Sequence, residues 1–348
     1  MTTPGERVAA LMERSWPVYG VAAIEGFGVA WSRVAGGPPD ALFQAGSISK
    51  PVTALAALEL VGRGELDLDA DVNERLLAWH LPGPRRVTLR QLLGHTAGLG
   101  VPFYPGYPQG AEAPTLRQSL DGVPPAATKP VRVDPARHGK FRYSGGGYTV
   151  VQQLVADVTE VPFAQAAHAL VLNPLGMTSS SFGPPAPDGP PPARPDWRVY
   201  PESAAAGLWT TPGDLARFAA AVAGAAAERE SPVRAEVATG MLTANARVPV
   251  RGEWMLLPLL GMPRPKACGL GMFLFGDGRF GHIGGAASFF SVLVASEKDG
   301  GGGVVMTAAN PSRFPFRLLR AIADDQGWTG FRRGGAGPPA DRSWRAWW

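Results

Sequence analysis

A serine and a lysine stand three residues apart, at positions 47 and 50, directly before an apolar run over 52–61. The run has helical length, and residues three apart lie on one face of a helix, so Ser47 and Lys50 are expected to touch. A neighbouring base makes a serine hydroxyl nucleophilic by accepting its proton, and a lysine in a dry pocket has its pKa lowered enough to do so. The N-terminus of the helix adds partial positive charge at this point. The same spacing also occurs on solvated helix faces, so the pair gains meaning only from partners elsewhere in the chain.

Two further segments supply such partners. Tyr143 is followed by Ser144 and Gly145, and a phenol beside a cationic amine can exist as phenolate or relay a proton between nucleophile and leaving group. His282 lies in the glycine-rich segment 281–285 at the end of a predicted strand, where small residues let a substrate lie against the backbone. Backbone N–H groups of that segment could complete an oxyanion hole with the N–H of Ser47.

The ordered set of motifs resembles a known superfamily. Ser47-x-x-Lys50, then Tyr143-Ser144-Gly145, then His282-Ile283-Gly284 resemble the three signature motifs of serine β-lactamases and penicillin-binding proteins. The resemblance is to the branch of class C β-lactamases, DD-peptidases and esterases, and it covers roughly residues 20–310. The segments 87–99, 173–177 and 206–218 are also typical of this branch.

The resemblance implies a role for each motif residue. Ser47 would be the acylated nucleophile, and Lys50 and Tyr143 would share the acid/base work, with the first proton acceptor left open between them. The N–H groups of Ser47 and Gly285 would form the oxyanion hole. Gly145, His282 and Gly284 fall at positions where the family contacts its substrates. No metal or other cofactor is implied.

Two departures from the β-lactamase pattern bear on the substrate. Gly145 stands where β-lactamases of this branch have an asparagine that holds the substrate's acylamino side chain, and His282 stands where a charged lysine helps to bind the β-lactam carboxylate. A histidine with its ordinary pKa near 6.5 is mostly neutral at pH 7, and we expect activity to follow pH around that value. Both departures weaken recognition of an anionic drug that carries an amide, and they leave acyl transfer intact.

The predicted function is therefore a serine hydrolase that forms an acyl-enzyme from a small-molecule ester, amide or peptide-like substrate. A carboxylesterase or a peptidase/amidase is favoured over an efficient β-lactamase. The alternatives are a transacylase of small-molecule biosynthesis, a weak β-lactamase, and a non-catalytic ligand-binding relative.

Other conspicuous side chains have more than one interpretation. Tyr104, Tyr107 and Trp254 could line a pocket for the acyl or leaving group, or cover core. His95 could be taken for a catalytic base, but its place at the end of a short helix after Thr88, beside Gly94, favours a structural C-cap contact.

Composition excludes several other classes. The pI is near 9.4, but the net charge is only +4 and the arginines are scattered without a basic stripe, so no nucleic-acid partner is expected. The single cysteine, Cys268, excludes an internal disulfide and a cysteine-based metal cluster. No apolar run is long enough to span a membrane, and no signal peptide is evident, so we expect a cytoplasmic protein while leaving export open. The oligomeric state stays open.

The pattern of elements predicts an α/β plus all-α architecture. Strands are expected near both ends of the chain, at 18–23, 29–34, 271–275, 280–283, 289–295 and 304–309. Helices are expected at 5–15, 148–159, 164–172, 212–227 and 316–325. One antiparallel sheet flanked by helices would thus be assembled from both termini, with an inserted helical domain. We expect the first part of the α/β domain at 1–78, the helical domain with long loops at 79–204, and the second α/β part at 205–348.

Overall fold

The computed structural model describes residues 17–250, 257, 262–309 and 313–328, and an antiparallel sheet of eight strands dominates this part of the chain. Across the sheet the strands are β2 (Gly28–Ala35), β1 (Tyr19–Glu25), β13 (Gly302–Thr307), β12 (Phe289–Ser296), β11 (Arg279–Ala286), β10 (Phe273–Gly276), β9 (Ala267–Cys268) and β8 (Ala246–Arg247). The N-terminal hairpin pairs directly with β13, with Tyr19 opposite Thr307 and Ile24 opposite Gly302. The prediction of one sheet assembled from both termini is confirmed.

Helices lie on both faces of this sheet. On β1, Val21 belongs to one core cluster while Ala22 and Ile24 belong to the other, as the two-residue period of a strand requires. Leu319 of the C-terminal helix packs in the first cluster, and Phe218 packs in the second. Because both faces are covered, β12 is buried at every position, which explains its nearly continuous apolar sequence.

The helices form most of the middle of the chain. They are α1 (Ser49–Gly62), α2 (Leu89–Leu93), α3 (Leu116–Asp121), α4 (Gly145–Thr159), α5 (Phe163–Ala167), α6 (Ser203–Ala206), α7 (Pro212–Ala226), α8 (Ala235–Leu242) and α9 (Arg313–Asp325). A 3₁₀ turn (Gly46–Ile48) precedes α1, another spans Val72–Glu74, and a π-helical turn (His168–Leu172) follows α5. Helix α1 is buried nearly all round and therefore lies in the centre of the fold. None of the helices in the described ranges is long and apolar enough to cross a membrane.

Two small sheets fix the chain around the centre. One joins β3 (Phe43–Gln44), β7 (Leu208–Thr210) and β5 (Ser181–Phe182), and the other joins β4 (Tyr107–Pro108) and β6 (Arg198–Val199). Strands of two or three residues carry too little periodicity to be found from sequence, and none of these was predicted.

Several predicted boundaries move in the structure. The helix expected from 148 begins at Gly145, because the Ser144 hydroxyl accepts a hydrogen bond from the Gly147 N–H and caps the first turn. The helix expected over 164–172 divides into α5 and the π-helical turn. The strand expected over 280–283 runs to Ala286, so it carries the whole glycine-rich segment. The predicted helix at 5–15 lies outside the described residues, and the domain boundaries stay a prediction.

Candidate active site

The candidate nucleophile sits on a tight turn pressed against β11. Gly46 has φ +54°, and a Cβ at this position would lie 2.4 Å from the carbonyl oxygen of Gly285. A Cβ at Gly284 would lie 1.8 Å from the carbonyl oxygen of Ala45. Both positions therefore need glycine for the backbones to meet, and the approach puts the Gly285 peptide beside Ser47.

The Ser47 turn is also tied to the chain that follows α6. The Ser49 hydroxyl donates to the carbonyl oxygen of Gly46 at 2.6 Å and accepts the Leu208 N–H at 2.9 Å. A single buried hydroxyl thus closes the turn and joins it to β7. Such support keeps the serine in one geometry before any substrate arrives.

Ser47 and Lys50 are in contact, as their spacing predicts. The Lys50 Nζ lies 3.0 Å from the Ser47 Oγ and 2.8 Å from the carbonyl oxygen of Ala205. The side chain of Lys50 is only 2 % exposed, and burial lowers the pKa of its amine to about 7. A substantial neutral fraction therefore exists at physiological pH, and a neutral amine at this distance can accept the serine proton.

Tyr143 also lies close to the Lys50 amine. The Lys50 Nζ lies 5.1 Å from the centre of the Tyr143 ring, which stacks on Phe273 with a centroid distance of 6.1 Å. The His95 ring also contacts the phenol ring, with a centroid distance of 4.5 Å. The side chains of Ser47 and Tyr143 thus both lie close to the Lys50 amine.

His95 holds the backbone that carries Tyr143. It follows α2 in the left-handed conformation, with φ +58°, and its Nδ1 accepts the Ser144 N–H at 3.2 Å while its carbonyl oxygen accepts the Arg142 N–H at 2.8 Å. Burial, followed by the charges of Lys50 and His282, lowers the pKa of His95 well below its usual value. These contacts fit the structural interpretation of His95 at the helix end.

His282 corrects one expectation from the sequence. The ring is buried, its Nδ1 donates to the carbonyl oxygen of Ile283 at 2.7 Å, and it packs on Phe273 with a centroid distance of 4.9 Å. Burial first, and then the charge of Lys50, lowers the pKa of His282 to about 3. The expectation that His282 titrates near pH 6.5 is wrong, because a buried imidazole beside a cation stays neutral throughout the neutral range.

Gly145 lies against Pro102 and Tyr104. Its N–H donates to the carbonyl oxygen of Pro102 at 3.1 Å, and a Cβ there would lie 3.0 Å from that oxygen and 3.2 Å from the Tyr104 ring. The space in which the family's asparagine side chain would project is thus occupied by Tyr104.

We expect Gly145→Asn to leave β-lactam turnover unimproved and to lower the free energy of unfolding by about 1–3 kcal/mol, because the new side chain overpacks this contact. Urea denaturation and hydrolysis of a chromogenic cephalosporin measure the two effects. A stable variant with clearly faster cephalosporin turnover would contradict this account of position 145.

The aromatic residues predicted to line a pocket or cover core have different surroundings where the structure describes them. Tyr104 borders an open cleft beside Gly285, and its hydroxyl bonds to the Thr149 hydroxyl at 2.7 Å. Tyr107 is buried and its hydroxyl accepts the Ala127 N–H at 2.9 Å, so it supports a loop. Trp254 lies outside the described residues.

Sequence reasoning missed the opposite wall of this cleft. Trp197, Arg198 and Tyr200 line it, and they follow a proline-rich stretch that reads only as a loop. Two of these three residues are aromatic, and this was the one feature of the sequence that could have indicated a pocket wall here. Arg198 lies on β6, which pairs with the distant β4, and the sequence does not reveal this pairing.

The chain belongs to the Beta-lactamase family, since the family model of that description matches residues 6–327. Among curated proteins, Esterase EstB of Burkholderia gladioli is 33 % identical over 167 residues, a segment of 43 % of this chain and 41 % of the esterase. Penicillin-binding protein 4 of Amycolatopsis lactamdurans is 29 % identical over 144 residues, 40 % of this chain and 36 % of that protein. The matches thus span less than half the length of these relatives.

Solved structures confirm the β-lactamase/transpeptidase fold. The D-amino acid amidase from Ochrobactrum anthropi SV3, complexed with D-phenylalanine, superposes with a TM-score of 0.70 at 16 % identity, covering 93 % of this chain and 99 % of the amidase. The β-lactamase/D-alanine carboxypeptidase from Yersinia pestis gives a TM-score of 0.67 at 17 % identity, covering 92 % and 96 % of the two chains. At such identities the likeness concerns the fold alone.

Proposed function

We propose that this protein is a serine hydrolase that forms an acyl-enzyme on Ser47 from an ester or amide substrate. The observation that carries the proposal is the 3.0 Å contact between the Ser47 Oγ and the Lys50 Nζ, a buried amine whose pKa is lowered to about 7. A buried amine with a pKa near the working pH is suited to take a proton and return it within one catalytic cycle.

The proposed reaction has two balanced steps. In the first, the Ser47 oxygen attacks the substrate carbonyl carbon while its proton moves to the Lys50–Tyr143 pair, and the leaving alcohol or amine departs with that proton. In the second, water attacks the acyl-serine, one of its protons passes through the same pair to the Ser47 oxygen, and the carboxylic acid is released. The N–H groups of Ser47 and Gly285 are proposed to stabilise the oxyanion in both steps.

Esters and simple amides fit this cleft better than β-lactams. His282 is neutral, so the third motif offers no permanent cation to a lactam carboxylate, and Gly145 offers no side-chain amide to an acylamino group. The names of relatives and structural neighbours, an esterase and a D-amino acid amidase among them, agree with this substrate range.

Pre-steady-state hydrolysis of p-nitrophenyl butyrate tests the proposal. We expect a burst of p-nitrophenol together with a butyryl mass increment that maps to the peptide containing Ser47, and we expect both to be absent from Ser47→Ala. Transfer of the butyryl group to an added amine in preference to water would support the transacylase alternative. A wild-type protein that shows neither burst nor adduct, but binds ligand, would instead be a non-catalytic relative.

A further inference from the structure

The cleft beside Gly285 has the size of a substrate subsite. Its volume is about 600 Å³, and its lining includes Gly285 and the aromatic residues Tyr104, Trp197 and Tyr200. Aromatic walls of this kind suit an extended acyl chain or a flat ring.

The position of the cleft on β11 indicates which part of a substrate enters it. Tyr143 lies near His282, with a ring centroid distance of 6.2 Å, while the cleft is lined by Gly285, Ala287 and Ser288 farther along the chain. A leaving group must face the acid/base pair to receive its proton, so it points toward Tyr143. The acyl group then extends the other way, into the cleft.

The charged groups of this cleft do not balance. Both oxygens of Asp196 are engaged by Arg194, at 2.5 Å each, so that carboxylate is already neutralised. Arg198 is half-buried, and no carboxylate in the described ranges pairs with it; its Nη1 donates to the carbonyl oxygen of Gly106 at 3.2 Å. Burial raises the pKa of the neighbouring Tyr200 phenol, and the charge of Arg198 partly opposes this rise. Among the described charged residues that line the cleft, Arg198 is thus the cation without a carboxylate partner.

The backbone of Arg198 is joined to the strand that leads to the nucleophile. The Gln44 side chain donates to the carbonyl oxygen of Arg198 at 2.6 Å and accepts the Arg198 N–H at 3.3 Å. Gln44 lies on β3, three residues before Ser47. The cation is thus placed at a defined position relative to the nucleophile, as recognition of a distant group on the acyl chain requires.

We propose that Arg198 selects acyl groups that carry a carboxylate at their far end, so that the preferred donors are monoesters or monoamides of dicarboxylic acids. The proposal rests on the proposed acyl-enzyme chemistry at Ser47. A guanidinium presents several N–H donors in a plane that matches a carboxylate, which makes arginine the appropriate side chain for this contact.

A pair of matched esters tests the selectivity. p-Nitrophenyl hydrogen adipate carries the distal carboxylate, and p-nitrophenyl methyl adipate carries the same chain without the charge. We expect wild type to prefer the anionic ester by about ten-fold or more in kcat/KM, after subtraction of spontaneous hydrolysis, with the preference falling as salt rises. We expect Arg198→Gln to lose the preference while its activity on the neutral ester changes less than about three-fold.

Two further variants sharpen the test. Lys140→Gln removes an exposed positive charge outside the cleft and should keep the preference, which separates a local contact from a general field effect. Arg198→Glu should reverse the selectivity in favour of the p-nitrophenyl ester of 6-aminohexanoic acid.

The outcomes separate this proposal from the proposed function. If wild type is acylated on Ser47 by the neutral ester but shows no preference for the anionic one, or if Arg198→Gln retains the preference, the role of Arg198 is wrong and the hydrolase assignment stands. If neither ester acylates Ser47, both proposals fall.

Discussion

Replacement of Lys50 with methionine is expected to lower the rate of Ser47 acylation by about 10³-fold, because it removes the only amine in contact with the nucleophile among the described residues. Methionine keeps an unbranched apolar stem of similar length, so the packing around position 50 changes little. The rate of the p-nitrophenol burst measures the effect directly.

The matched control is Lys140→Met. Lys140 is exposed and its Nζ donates to the nearby carbonyl oxygen of Ala136, away from Ser47, so this variant should keep the wild-type burst. A Lys50→Met protein that is folded by circular dichroism and acylates at more than about a tenth of the wild-type rate would show that Lys50 is not the base.

The same substitution is expected to change how stability depends on pH. The pKa of Lys50 is about 7 in the folded protein and near 10.5 in the unfolded chain, so between these values the unfolded chain binds one more proton. The free energy of unfolding of wild type therefore gains a contribution from Lys50 as pH rises from 7 to 10.5, and this contribution is lost again as pH falls to 7. Lys50→Met has no such dependence.

Urea denaturation at pH 6 and pH 10 measures this difference. Loss of the Lys50 hydrogen bond leaves the Ala205 carbonyl oxygen unpaired, at a cost of about 1–3 kcal/mol that does not depend on pH. The stability of Lys50→Met relative to wild type should be more favourable at pH 6 than at pH 10 by on the order of 3 kcal/mol. An equal difference at the two pH values would mean that the amine is not buried as the structure describes.

The contact at the centre of the site was predictable from sequence because it is local. Ser47 and Lys50 lie one helical turn apart, and α1 forms where the apolar run indicates it, so helix geometry alone brings the hydroxyl and amine together. The three ordered motifs identify Tyr143 and the segment 281–285 by resemblance. Their spacing in the sequence does not show how close these residues lie to Ser47 in the folded protein. The antiparallel sheet built from both termini follows from apolar runs of strand length near both ends of the chain and from a helical middle.

The electrostatic state of the site could not be predicted from sequence. His282 titrates far from its ordinary range because Phe273 and the strand around it exclude water, and burial is a property of the assembled core. The position of Arg198 depends on a two-residue strand pair and on the Gln44 side chain from a distant part of the chain. The Gln44 contact joins residues 154 positions apart, and the Arg198 contact with Gly106 beside β4 joins residues 92 apart, so neither leaves a local pattern.

The pH dependence of the acylation rate tests the central claim most directly. The pKa values of His95 and His282 lie below the neutral range. An ionisation near pH 7 that controls acylation should therefore belong to Lys50, the member of the Lys50–Tyr143 pair whose pKa lies at about 7. We predict that kcat/KM for p-nitrophenyl butyrate rises through a single ionisation near pH 7 and then reaches a plateau. A rate that is constant from pH 5.5 to 9, or that rises only near the ordinary pKa of lysine, would contradict a mechanism in which the buried amine of Lys50 activates Ser47.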